Sequence, residues 1–188
     1  MPDHSYTLSG FRANLLGFLF IFPVIIIYGI PYIIIWCESG NILGSIIHQN
    51  RTLLQQAIDA PWIAFLLLLS GFALHELIHG LCMAIFAKNG WKSVSFGFNV
   101  NALAPYVHCK EPLSLDAYRL TLIMPGLLLG EVPAIISWFT GNILFLMYGI
   151  LFCWASAGDL IILWMSRKIT GGMLQDHPDK IGFVHLEE

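Results

Sequence analysis

Apolar residues in this chain gather into long runs instead of alternating with polar ones. Four runs fall at 15–36, 61–87, 120–139 and 143–166. Each comes close to or exceeds the roughly 20 residues that a helix needs to cross the hydrocarbon core of a bilayer. The first run has no charge. The second is interrupted only at His75-Glu76-Leu77-Ile78-His79, the third holds the single acid Glu131, and the fourth the single acid Asp159. Four membrane-spanning helices are the expectation. Pro23 and Pro31 in the first run and Pro125 and Pro133 in the third predict kinks, which membrane helices tolerate.

Shorter patterns lie between the runs. Residues 37–60 are more polar, and 45–58 keep enough helical periodicity to predict a helix lying at the membrane surface. Only Thr140-Gly141-Asn142 separates the third run from the fourth, so these two should form an antiparallel hairpin. In 93–100, Val94, Phe96, Phe98 and Val100 alternate with Ser93, Ser95, Gly97 and Asn99. A period of two predicts a strand. Residues 103–108 are its expected partner, with the turn near 99–101. The fold class expected is an all-α membrane protein of about four transmembrane helices, with a short cytoplasmic-side β-hairpin between helices 2 and 3. One polytopic domain, 1–188, is expected, with its core at 61–168 and a C-terminal cytoplasmic tail at 169–188.

Composition agrees with burial in lipid. Hydrophobic residues make up 57% of the 188 and charged residues 11%, against about 25% charged in soluble domains. The net charge of −3 is less informative than where the cations lie. With four spans, Arg12, Lys88, Lys92, Lys110, Arg119, Arg167, Lys168 and Lys180 share one side and Arg51 alone takes the other. By the positive-inside bias, both termini and the middle loop are expected in the cytoplasm. There is no basic patch or recognition motif for nucleic acid. Cys37, Cys82, Cys109 and Cys153 form no CxxC pair, and no disulfide framework is expected. The first run is longer than the apolar core of a signal peptide, and no small-residue cleavage site follows it.

The polar interruption carries the chemistry. His75 and His79 are four residues apart, so a helix presents both imidazoles on one face. Such a pair suits one tetrahedral zinc ion, with Glu76 beside it as a general base for an attacking water. Two histidines and a glutamate within an apolar span cost several kcal/mol unless they serve something. A catalytic zinc needs a third protein ligand. His79 lies eight residues before Ala87, roughly 12 Å along a helix. Asp159 lies seven residues before Ser166, roughly 10 Å. The depths match, and Ala155-Ser156-Ala157-Gly158 is small enough for helices to approach closely. Asp159 is therefore the expected third ligand. Glu131, Cys109 and His177 are the alternatives, and His108 is a loop residue with ligand chemistry. Glu131 sits deeper and suits an acid that orients a ligand or faces the outer leaflet.

At His75–Gly80, Ala104-Pro105-Tyr106, Cys109-Lys110-Glu111-Pro112-Leu113, Pro125-Gly126, Gly158-Asp159 and Asp176-His177-Pro178, the chain resembles the putative zincin peptidase family of small bacterial membrane proteins. It is also similar to site-2 protease-type intramembrane metallopeptidases. The resemblance implies Zn2+ as cofactor, His75, His79 and Asp159 as metal ligands, and Glu76 as general base. It implies a zinc-dependent intramembrane endopeptidase in the bacterial cytoplasmic membrane, acting on a membrane-associated protein or peptide. It would also give strand 93–100 a purpose, since an exposed edge can hold a substrate backbone extended. Two other functions compete. One is a non-catalytic regulatory or immunity protein with a structural zinc site. The other is a metal transporter, for which the spans carry few polar residues. Oligomeric state is not legible in the sequence.

Overall fold

The computed structural model describes residues 4–38, 40–99, 104–177 and 180–186. Its helices follow the apolar runs. Strand β1 (His4–Leu8) leads into α1 (Gly10–Leu19) and α2 (Ile21–Trp36), which together give one apolar stretch of 27 residues. Pro23 falls in the first turn of α2, and Pro31 is accommodated inside it. Helix α5 (Pro61–Phe86) is a second stretch, of 26 residues. The third runs over Leu115–Thr140. It consists of α6 (Leu115–Pro125), a π-helical segment Gly126–Glu131, and α7 (Val132–Thr140). These three are long and apolar enough to cross a membrane, and a fourth qualifies if α8 (Ile143–Ala155) and α9 (Ala157–Ser166) count as one broken span.

The break at Ser156 corrects the expectation of one uninterrupted helix over 143–166. Ser156 leaves helical geometry at φ −78°, ψ 5°. Breaks favour serine and glycine positions, where few side-chain contacts hold the helix straight. Gly158 is not a close-packing point either, because a Cβ added there would meet nothing within 4 Å.

The chain divides into two compact units. The first gathers the segment ending at Phe18, Phe72–Pro125, and the chain from Ser156 onward. It contains more β-structure than the sequence suggests. The expected hairpin is present, with β2 (Val94–Asn99) antiparallel to β3 (Ala104–Cys109) from Val94↔Cys109 to Asn99↔Ala104. Most of the expected turn lies outside the described residues. A second sheet was not expected and revises the all-α class. Its order is β1-β6-β5-β4, with β4 at Leu113–Ser114, β5 at Met173–Asp176 and β6 at Ile181–Leu186. The segment read as a tail is thus a hairpin that also pairs with the N-terminal strand, His4 opposite His185. Strands β1, β5 and β6 are four to six residues long and β4 only two. They gain stability from the shared core beneath them, since an isolated hairpin is marginal in water. Leu113, Leu174 and Phe183 are fully buried there, with Cys109 and Tyr118 in the same cluster. The Phe183 ring stacks on Tyr6 at 5.2 Å and meets Tyr118 edge-on at 5.9 Å.

Two contacts position this unit's helices. Arg119 on α6 donates to the carbonyls of Ser166 (2.6 Å) and Ile169 (3.0 Å) and caps the C-terminal end of α9, where a cation is favoured. Gly80 on α5 leaves room for the hairpin, since a Cβ there would come 2.5 Å from the Phe96 ring.

The second unit comprises Leu19–Gly71 and Gly126–Ala155. Helices α7 and α8 form the expected antiparallel hairpin, turning at Gly141 in the left-handed region (φ +67°). Gly149 lets α8 lie close to Ala134, as small residues do between membrane helices. The surface helix expected over 45–58 is two helices, α3 (Ile42–Gln49) and α4 (Arg51–Asp59), broken at Asn50. Asn50 is buried and fully used. Its amide donates to the Tyr32 hydroxyl (3.3 Å) and the Ile46 carbonyl (3.2 Å), and its Oδ1 accepts from the Ile143 N–H (3.0 Å).

Candidate metal centre

Helix α5 carries the two histidines inward, both buried. His75 Nε2 and His79 Nε2 lie 3.2 Å apart. Asp159, in the first turn of α9, brings Oδ2 to 3.2 Å from His75 Nε2 and 3.4 Å from His79 Nε2. Among the described residues, this is the only group of three or more His, Cys, Asp and Glu side chains that could hold a metal ion.

The donor set fits zinc. With ligand bonds of about 2.0–2.1 Å, tetrahedral coordination separates neighbouring ligand atoms by roughly 3.3 Å. The three measured separations, 3.2, 3.2 and 3.4 Å, match that edge. Three protein donors leave one of the four positions open, as catalytic sites do.

The orientation of His79 comes from a proline. In a regular helix the N–H of residue 125 would bond the carbonyl of residue 121. Proline has no N–H, so the Thr121 carbonyl is left without that donor. His79 takes it, with Nδ1 2.9 Å from Thr121 O. A carbonyl only accepts, so Nδ1 holds the proton and Nε2 turns its lone pair toward the donor cluster. This outer contact is common to metal-binding histidines. His75 lacks one: its Nδ1 is buried with no hydrogen-bond partner among the described residues.

Glu76 lies on the neighbouring face of α5, within electrostatic reach of His75, His79 and Asp159, and its carboxylate lies near the Val107 backbone N–H on β3. The hairpin therefore touches the motif helix both at Gly80 and at Glu76.

The alternative ligands lie elsewhere. Cys109 is buried in the core cluster, where burial pushes its thiol up and away from the thiolate form. His177 accepts from the Lys180 N–H (3.1 Å) and donates its own N–H to Gly182 O (3.0 Å), closing the β5–β6 turn. Pro178 and Asp179 lie outside the described residues. Glu131 belongs to the second unit. His108 pairs with Asp176, its Nδ1 3.3 Å from Oδ2. The Thr121 carbonyl and Asp176 are the two contributors that sequence reading missed. A signal for the first exists in Pro125, four residues after Thr121.

The family model described as "Putative zincin peptidase" matches residues 61–172, which take in the histidine pair, Glu76 and Asp159. No curated protein and no solved structure matches the chain.

Proposed function

Since the chain belongs to the Putative zincin peptidase family, we propose that it is a zinc-dependent endopeptidase working within the membrane on a membrane-associated protein or peptide. The observation that carries this reading is the convergence of His75, His79 and Asp159 at the edge lengths of a zinc tetrahedron, with Glu76 alongside. His75, His79 and Asp159 would hold the zinc ion. Zinc, when bound, supplies Lewis acidity toward the scissile carbonyl and makes water acidic enough to be a nucleophile near neutral pH. Glu76 takes the proton from the attacking water and returns it to the leaving amine. The Thr121 carbonyl keeps the proton of His79 on Nδ1. The outer edge of β2 pairs with no other strand among the described residues, which supports a substrate backbone docking there in extended form.

Sheet order supports four spans with both described ends of the chain on one side. Strands β1, β4 and β6 belong to one hydrogen-bonded sheet, and a bilayer cannot separate paired strands. The chain must then cross an even number of times between Leu8 and Leu113, and again between Ser114 and Met173. Two apolar stretches lie in the first interval. The second interval requires α8 and α9 to act as one broken span beside Leu115–Thr140. The cation bias puts that shared side in the cytoplasm.

Glu76→Gln tests the reading. It keeps the size of the side chain and removes the base, so zinc content should stay at the wild-type level. Cleavage of a membrane-anchored substrate should fall by about 10²–10⁴, the usual contribution of a positioned base. A variant that retains zinc and cuts as well as wild type would refute the mechanism.

A further inference from the structure

The contact between His108 and Asp176 sits away from the metal donors, yet it is tied to them through two elements. Asp176 ends β5 and receives two partners. His108 on β3 approaches its Oδ2 at 3.3 Å, and the Tyr118 hydroxyl on α6 donates to its Oδ1 at 2.8 Å. A second strut runs parallel, from Gln175 Nε2 to the Lys110 carbonyl at 3.0 Å. Both groups of the ion pair are partly buried. Such pairs are worth more than exposed ones, which contribute little.

What the pair holds is the more telling feature. Val107, the residue just before His108, presents its backbone N–H toward the Glu76 carboxylate. Neighbouring residues of a strand point to opposite faces and are separated by about 3.3 Å, so fixing the His108 ring on one side fixes the Val107 amide. On the other flank, Tyr118 lies one turn before Thr121, whose carbonyl orients His79. Asp176 therefore braces both the strand that aims Glu76 and the helix that aims His79. We propose that the His108–Asp176–Tyr118 cluster is a positioning clamp through which the C-terminal strand β5 sets the aim of Glu76. The clamp rests on the peptidase reading for its effect on catalysis, but its effect on β3 does not.

The clamp carries a pH signature. The groups facing His108 are Asp176 from β5 and, just past the end of its own strand, Lys110; Ser95, its neutral register partner, faces it from β2. Tyr118 acts through Asp176. The hydrogen bond that the protonated His108 ring donates to the Asp176 carboxylate raises the His108 pKa above the ordinary imidazole value. A raised value means that the ion pair is complete below about pH 6.5 and is lost as pH climbs through the folded-state value. Rising pH should therefore loosen β3. A permanent cation at position 108 should remove that dependence.

The test uses full-length protein in proteoliposomes, comparing wild type with Asp176→Asn, His108→Gln, the double variant and His108→Lys. Bound zinc, amide hydrogen exchange of 104–109 and cleavage of a membrane-anchored reporter are followed from pH 5.5 to 8.5. Zinc should stay at wild-type stoichiometry throughout. Asp176→Asn and His108→Gln should each speed exchange in 104–109 by about tenfold and lower kcat at least tenfold, with KM changed less than twofold. The double variant should be no worse than either single one. His108→Lys should restore kcat and flatten the alkaline fall in the wild-type profile. Unchanged exchange in Asp176→Asn overturns the clamp. Faster exchange with unchanged kcat overturns its link to Glu76. If wild type cleaves nothing, the peptidase reading fails separately, and exchange in 104–109 alone decides whether β5 holds β3.

Discussion

Pro125 is the point at which backbone chemistry and metal affinity meet, and replacing it with alanine separates the two. The new N–H at position 125 would compete for the Thr121 carbonyl, which His79 Nδ1 now occupies at 2.9 Å. A carbonyl has two lone pairs, so the histidine bond would be shared and weakened instead of lost. Loss of an outer contact to a metal-bound histidine costs 10- to 100-fold in affinity. A shared contact belongs at the low end, about tenfold, or about 1.4 kcal/mol. Stability should move the other way. Proline inside a helix is about 3 kcal/mol worse than alanine, whereas the buried ring gives up two methylenes at about 0.8 kcal/mol each. The net is about 1.4 kcal/mol in favour of the variant. Competition titration against a zinc chelator, run beside thermal unfolding of the zinc-free protein, measures both. Zinc affinity within twofold of wild type would refute the role given to the Thr121 carbonyl.

Alanine at His75, His79 or Asp159 should each lower zinc stoichiometry to near zero, and Glu131→Ala should leave it unchanged, as metal analysis of purified protein would show. Loss of zinc with Glu131→Ala but not with Asp159→Ala would reverse the ligand assignment. Asn50→Ala should destabilise the protein by about 2–3 kcal/mol, because the buried amide satisfies Tyr32, Ile46 and Ile143 together. Thermal unfolding in detergent measures the loss, and a variant as stable as wild type would show that the break between α3 and α4 does not depend on that amide.

Much of the site is legible in the sequence because helices translate spacing into geometry. A separation of four residues put His75 and His79 together, and counting rises from the ends of two apolar runs brought Asp159 to the same depth. The features that escaped have no such arithmetic. The Thr121 carbonyl belongs to every residue's backbone, and only the proline four residues on distinguishes it. Strands β1, β5 and β6 show no clear period of two, and β1 depends on β6, a partner more than a hundred residues away, while β5 depends on β4 and β6. Ser156 interrupts a run whose hydropathy continues across it. His108 looked like a spare ligand because sequence shows its chemistry but not Asp176 opposite it.

Biosynthesis imposes an order on this architecture. Strand β1 is made well before its hydrogen-bonding partner β6, which ends at Leu186. Asp159 also arrives late, long after the histidines of α5 have been inserted. A nascent chain therefore carries two imidazoles without their carboxylate until Asp159 is made, and an open sheet edge until β6 is made. Closing contacts so distant along the chain is slow. A metal centre completed so late along the chain stays chemically idle while the segments before it are being made.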